Sequence, residues 1–287
     1  MLPCCVRLKE AMDTFSPMEK QVAALIINFP SEIPNMSIEE LAKACNTSVS
    51  SVVRLCKSAK YNGYKDFLRA LSTDLAINQT KDITYRDVKP GDSVESIAKN
   101  VCMNHIQTIE NTLSVLEIDE LQKAVDTINK AKRVDFYGTG ISGLVAIDAH
   151  NKFVRIGKIS MSSSDPHQQI LTASLLGKND AAVLISYSGD TRDIVELADV
   201  IKHTPATLIS ITRYSKNELS RRADICLYCS SSELSVRSGP MDSRIGTMTI
   251  IDVLYTAVTS SQYQEVKSML DKTQLVSARK HLHLNIS

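Results

Sequence analysis

Two short stretches of the chain gather the residue types that hold a phosphate group. One is Tyr137-Gly138-Thr139-Gly140-Ile141-Ser142-Gly143, and the other is Ser186-Tyr187-Ser188-Gly189-Asp190-Thr191. Each follows an apolar run that reads as a strand and leads into a stretch with helical periodicity. In an open parallel sheet such turns lie at the carboxyl ends of the strands, where ligands bind. The next helix presents unpaired N–H groups and its positive dipole end there. Glycines such as Gly140 let the backbone approach an anion, and the hydroxyls of Ser142, Ser186, Ser188 and Thr191 add donors. Together these suit a phosphate monoester. The first loop also has the G-x-G-x-x-G spacing of dinucleotide sites, with Asp165 downstream at the distance of a ribose contact. That reading leaves the hydroxyl-rich second loop without a use, whereas a phosphorylated ligand uses both.

A different constellation lies near the beginning, in IEELAKACNTSVSSVVRLCK (Ile38–Lys57). Two helices crossing at a tight turn need a small residue at the contact, a residue tolerant of left-handed backbone at the turn, and apolar contacts on the second helix. Ala42, Asn46 and the set Val49, Val52 and Leu55 meet these needs, and Ser48 can cap the second helix. The other face of that helix carries Ser50, Ser51, Arg54 and Lys57. Short hydroxyls permit close approach to a major groove, and an arginine can bond guanine in bidentate fashion. Lys57, Lys60 and Lys65 suit phosphates, which give affinity rather than sequence choice. A plain helical hairpin inside a bundle would show a similar pattern. What sets this one apart is charge: from Arg54 to Arg69 five basic residues face Asp66 alone, inside a chain of net charge +1.

The elements that must position these residues fall into two regimes. Up to about residue 80 the chain reads as all helix, with capping boxes at Ser16-Pro17-Met18-Glu19 and Ser37-Ile38-Glu39-Glu40. Lys89-Pro90-Gly91-Asp92 marks a turn, and helices are expected from Ser93 to about Leu116 and from Ile118 to Lys130. From Val134 onward, short strands (Val134–Tyr137, Ala181–Ile185, Thr207–Ile211, Ile225–Tyr228) alternate with helices, which signals βαβ units and a parallel sheet. A length of 287 residues suits about two domains, and 43% hydrophobic with 23% charged residues is a globular composition. Apolar runs fall short of the ~18 residues that cross a bilayer, so no membrane association is expected. The first residues carry no secretion signal, and seven scattered cysteines fit a reducing compartment, so the expected location is cytoplasmic.

With both halves in view, the chain resembles the RpiR family of bacterial regulators along nearly its whole length. IEELAKACNTSVSSVVRLCKSAKYNGYKDF is similar to that family's helix-turn-helix and its trailing Gly-Tyr segment; Asn46 stands where glycine is usual. Residues from about Leu121 to Ser260 resemble a SIS (sugar isomerase) domain, through FYGTGIS, SYSGDT and ELSVRSGPMDSRIGTMTIIDVLY. The resemblance implies an all-α helix-turn-helix domain over 1–78, connecting helices over 79–120, an α/β SIS domain over 121–262 and a helical tail over 263–287. It also implies a flavodoxin-like, five-stranded parallel sheet. A phosphorylated sugar effector would be held at Gly140, Ser142, Ser186, Ser188 and Thr191, with Glu233 toward the sugar hydroxyls and His167 a weaker candidate. DNA would be read through Ser50, Ser51, Arg54, Lys57 and Lys65, by a homodimer or homotetramer on a double-stranded operator. No catalytic role, cofactor or metal is expected. The alternative is a phosphosugar isomerase with Glu233 as general base, which would leave the first 78 residues unused; a third reading is a sugar sensor whose helical domain binds protein.

Other reactive side chains read as structural. Cys226 and Cys229 have zinc-like spacing without a second pair, on an expected buried strand. His150 falls on a helix, and His281 and His283 lie in the tail.

Overall fold

A computed structural model of the chain describes residues 2–77, 90–231 and 241–278. By their contacts the residues group into two units. The first comprises Met1–Val115 with Arg213–Lys216 and Cys229–Ser243, and the second comprises Leu116–Thr212, Asn217–Tyr228 and Arg244–Ser287.

In the first unit, α1 (Pro3–Glu10), α2 (Pro17–Asn28), α3 (Ile38–Ala44), α4 (Val49–Ser58), α5 (Tyr64–Ile77) and α6 (Val94–Val115) follow in order. The capping boxes start α2 and α3 where the sequence places them. Glu19 accepts from the Ser16 N–H at 2.8 Å and Glu40 from the Ser37 N–H at 2.7 Å, while each serine hydroxyl accepts from the glutamate N–H. The turn between α3 and α4 is closed by Thr47 N–H donating to the Ala42 carbonyl at 2.9 Å. Asn46 takes the left-handed conformation there, φ 47°. Leu41, Val52, Leu55, Phe67 and Leu71 are buried in one core.

Val49, expected among the core contacts, is 38% exposed. A strict three-residue spacing drifts by about 60° per step on a helix of 3.6 residues per turn, so Val49 rotates off the face that buries Leu55. Cys56, four residues after Val52, is buried in its stead.

The second unit runs α7 (Ile118–Lys130), β1 (Arg133–Gly138), α8 (Gly140–Arg155), α9 (Pro166–Ala173), β2 (Asp180–Ile185), α10 (Arg192–Lys202), β3 (Thr207–Arg213), α11 (Glu218–Arg222), β4 (Ile225–Cys229), α12 (Met241–Ser261) and α13 (Tyr263–Ala278), the ends of β3 and β4 and the start of α12 grouping with the first unit. The sheet order is β1-β2-β3-β4, and β1–β2 and β2–β3 pair in parallel. Interior strand residues are buried on both faces, as for a sheet covered by helices on each side. Tyr137, Ala182 and Leu184 pack with Ile194, Leu197 and Ile201 of α10, while Phe136 stacks on Phe153 of α8 at 5.0 Å.

The described residues hold four strands, not the five expected. The place of the fifth is taken by Ile159–Met161, which runs parallel to β1 through a single bridge, Arg133 to Ile159. Backbone bonds from Val134 to Ile159 and from Phe136 to Met161, both 2.9 Å, extend that pairing. The fully buried Asp135 carboxylate accepts from Met161 N–H at 3.0 Å and from Arg133 at 2.6 Å. Counting this segment, the order matches the flavodoxin-like 2-1-3-4-5 arrangement, whose chain reverses direction across the sheet beside β1.

The left-handed turn gives a direct test. Asn46→Val should lower stability by about 1–2 kcal/mol and Asn46→Gly should leave it nearly unchanged, read by urea unfolding of the full chain.

Candidate functional site

The two hydroxyl-bearing loops lie at the carboxyl ends of β1 and β2, neighbouring strands on either side of the point where the strand order reverses. Gly138 ends β1 so tightly against the first turn of α8 that a Cβ there would sit 2.6 Å from the Ser142 carbonyl oxygen. Gly140 adopts φ 56°, turning the chain into the helix. Thr139 stands at the N-cap of α8 and Thr191 at that of α10, both residue types able to cap, yet neither side chain bonds its helix's N–H groups. Among the described residues no side chain is seen to accept from the first N–H groups of either helix, an arrangement suited to an anion.

In the second loop the buried Ser186 hydroxyl lies 3.1 Å from that of Thr191 and accepts from Gly189 N–H at 3.2 Å. Ser188 is exposed, and its hydroxyl accepts from Asp190 N–H at 3.3 Å. Ser142 is half-buried in the first turn of α8. The loops therefore display Ser142, Ser188 and Thr191 toward solvent, with Ser186 as a buried anchor.

Two residues that the sequence reading passed over hold these loops. Gln169, 2% exposed, donates to the Gly138 carbonyl at 2.9 Å and to the Ser163 carbonyl at 2.6 Å. Asn217 packs on Gly189, which has φ 73°; a Cβ on that glycine would overlap the Asn217 side chain. Asn217 was detectable only as the cap of α11, where its side chain accepts from Ser220 N–H at 2.8 Å. Nothing in the local sequence marks Gln169. His167, the weaker ligand candidate, is exposed on α9 and is joined to Asp165 through its backbone N–H. Asp165, the residue a dinucleotide reading would place on ribose, spends its carboxylate capping α9. Glu233 lies outside the described residues.

On the first unit, Ser50, Arg54 and Lys57 are exposed on α4, and Lys65 is exposed near the start of α5. Ser51 departs from its expected place on that face. It is 3% exposed, because it sits one turn before Leu55 on the buried side. Its hydroxyl lies 3.0 Å from that of the cap Ser48 and accepts from the Arg54 guanidinium at 3.1 Å, which holds the arginine in place. The basic cluster is also smaller than its sequence count. Arg69 pairs with Asp66 at 2.7 Å. The Asp66 carboxyl is held below the usual carboxylate range by the Asn62 N–H first and by Arg69 second.

Among the described residues no helix is long and apolar enough to cross a membrane, and no group of three or more His, Cys, Asp or Glu side chains could hold a metal ion. Cys229 is buried, which pushes its thiol pKa up, and the Cys226 thiol donates to the Ser220 carbonyl at 3.3 Å.

A helix-turn-helix with exposed Arg54 and Lys57 on its second helix, joined in one chain to a parallel α/β unit with hydroxyl-bearing loops at its strand ends, is the layout of a regulator with a SIS-type domain. Residues 4–78 match the helix-turn-helix domain of the rpiR family and residues 127–257 match the SIS domain. An HTH-type transcriptional regulator of Caldanaerobacter subterraneus subsp. tengcongensis is 36% identical over 274 residues, 95% of this chain and 96% of its own length. The HTH-type transcriptional regulator YbbH of Bacillus subtilis is 36% identical over 262 residues, 90% and 91% of the two chains. Among solved structures, the Vibrio vulnificus NanR protein complexed with ManNAc-6P is similar with a TM-score of 0.62 at 25% identity, covering 98% of this chain and 100% of that one. The chain belongs to the RpiR family of helix-turn-helix transcriptional regulators.

Gly189→Ala should cost about 1–3 kcal/mol through the left-handed backbone alone, with further loss from the overlap with Asn217. Urea unfolding should show a clearly lowered midpoint; an unchanged one would contradict the packing described.

Proposed function

We propose that this chain is a transcription regulator whose operator affinity is set by a phosphorylated sugar bound at Gly140, Ser142, Ser186, Ser188 and Thr191. The observation that carries the reading is the pair of uncapped helix starts, α8 and α10, at adjacent strand ends with hydroxyls around them. Fixed N–H groups and neutral hydroxyls match the oxygens of a phosphate monoester. The ligand named with the similar NanR protein, ManNAc-6P, has that chemistry. Glu233 is proposed to meet the sugar hydroxyls.

On the DNA side, Arg54 contacts a base edge, Ser50 allows close approach, and Lys57 and Lys65 meet phosphates; Ser51 acts through Arg54. The functional species is a homodimer or homotetramer on a two-fold operator in the cytoplasm. Exposed apolar side chains support self-association: Leu113 at 68% and Ile106 and Ile109 on α6, and Leu171 on α9 with Leu175, at 76%, just after it.

The isomerase reading needs a general base within reach of the sugar. The candidate base is Glu233, which lies outside the described residues; Asp190, the carboxylate within the loops themselves, accepts from Glu218 N–H at 2.9 Å. A receptor without turnover fits the hydroxyl-rich loops better, and incubation with hexose and pentose phosphates should yield no product.

A thermal-shift screen of sugar phosphates should find a ligand that raises the apparent Tm, since binding to the folded state alone stabilises it. Ser188→Ala should abolish the ligand response and spare operator binding. Arg54→Ala should weaken operator binding by about 1–3 kcal/mol and relax preference at one base pair, while Lys57→Ala should lower the salt slope by about one. Loss of ligand binding in Arg54→Ala would contradict the separation of the two sites.

A further inference from the structure

We propose that Tyr214 is the positioning residue that holds the end of the DNA-reading helix α4 and makes its placement depend on the state of the anion loops. This rests on the reading of α4 and of the loops given under Proposed function.

Tyr214 follows β3 directly and is 2% exposed. Within the first unit, its hydroxyl donates to the carbonyl of Ala59, the C-cap of α4, at 3.4 Å. Its ring is flanked by two cations: the Lys60 ammonium at 5.2 Å and the Arg7 guanidinium at 5.6 Å from the centroid. Lys60 has φ 64°, so the residue that ends the helix is held in a conformation that needs outside support. Arg7 also lies over Tyr61 at 5.9 Å, which ties the same cluster to α1. Neighbouring Arg213 pairs with Asp13 at 2.8 Å. After β4, the Ser230 hydroxyl and the Ser231 N–H both donate to the buried Glu10 carboxylate, at 2.7 and 3.2 Å. The chain leaving β3 and β4 is therefore built into the helical unit at defined bonds.

The other end of the linkage lies in the second unit. Gly189 of the anion loop is in contact with Asn217, and the Asn217 amide donates to the Thr212 hydroxyl at 3.2 Å. Leu219 N–H donates to the Gly189 carbonyl at 2.9 Å, and Glu218 N–H to the Asp190 carboxylate at the same distance. Thr212 is two residues before Tyr214. A shift of the Ser186–Thr191 loop on taking up an anion thus acts on Asn217 and Thr212, and through two peptide units on the residue that grips Ala59 and Lys60.

The test uses the full chain, an operator fragment selected from random duplex DNA, and N-acetylmannosamine 6-phosphate as the probe. In the wild type the probe should change operator affinity by about five- to a hundredfold. Tyr214→Leu should bind the probe normally by calorimetry while that ratio falls to within about twofold of one, and Tyr214→Phe, which keeps the ring between its cations, should retain most of it. A merely structural role would leave the ratio intact; a wild-type ratio in Tyr214→Leu overturns the proposal. Should the wild type ignore the probe, the effector reading fails for that ligand, and the grip on α4 is judged by amide hydrogen exchange without ligand. Exchange at Lys60 and Tyr61 should then be faster in both variants and unchanged in α8. If Tyr214→Leu does not fold, Tyr214→Phe alone decides, and unchanged exchange at those amides sinks the idea.

Discussion

The arrangement depends on how closely backbone can approach backbone where a buried strand turns into a helix. At Gly138 the turn leaves no room for a Cβ beside the Ser142 carbonyl, and at Gly189 the Asn217 side chain fills the space a Cβ would need. These contacts bring the first N–H groups of α8 and α10 to the ends of adjacent strands. A cap on either helix would contribute about 1 kcal/mol, and a threonine is in place at each, yet neither is used in that way. At α10 the Thr191 hydroxyl is instead engaged with Ser186. The starts of α1 and α7, at Leu2 and Glu117, also lack a side-chain cap, but only α8 and α10 do so with a threonine in place, while α2, α3, α4, α9 and α11 keep theirs.

A comparable inversion occurs along α6. Its inward face carries Asn100, Asn104, Gln107, Thr108, Asn111 and Thr112, all buried, while Ile106, Ile109 and Leu113 face solvent. Gln107 donates to Asn111 at 2.8 Å and Thr112 to the Ser230 carbonyl, while Gln107 Oε1 and the Thr108 hydroxyl are buried without a partner among the described residues. Such bonds are directional, whereas apolar contacts are not. The Gln107–Asn111 bond lies within α6, whereas Thr112 exchanges bonds with the Ser230 backbone and so ties the helix to the segment after β4.

The helices and the strand ladder were legible in the sequence because their signals are local. Capping boxes at Ser16 and Ser37, the turn asparagine and the apolar runs each depend on residues within a few positions of one another. The position of the two hydroxyl-bearing loops at the ends of β1 and β2 was legible for the same reason. What escaped was long-range or angular. The fifth strand is reduced to residues 159–161, where the Met161 N–H goes to the Asp135 side chain of β1 instead of to a backbone carbonyl, so the ladder is not continued. Ser51 looked solvent-facing because a list of polar residues on a helix does not give their angle; its position one turn before Leu55 does. Gln169 and Asn217 act on residues 31 and 28 positions away, on Gly138 and Gly189, and no periodicity announces such bonds.

The chemistry of the loops explains why they suit a receptor. Serine and threonine hydroxyls and backbone N–H groups are neutral near pH 7, so under the proposed function they would hold an anion without a charged partner that must be desolvated. Binding of that kind is moderate and reversible, as a sensor of a changing concentration requires. Linkage then makes the relation mutual: if a bound anion alters operator affinity by some factor, bound operator alters anion affinity by the same factor. The free energy available for the switch is therefore bounded by the difference in how the loop's few hydrogen bonds fit the two states. A change of one or two such bonds, about 1 kcal/mol each, already covers the range in which regulators of this type operate, so no large rearrangement of the sheet is needed.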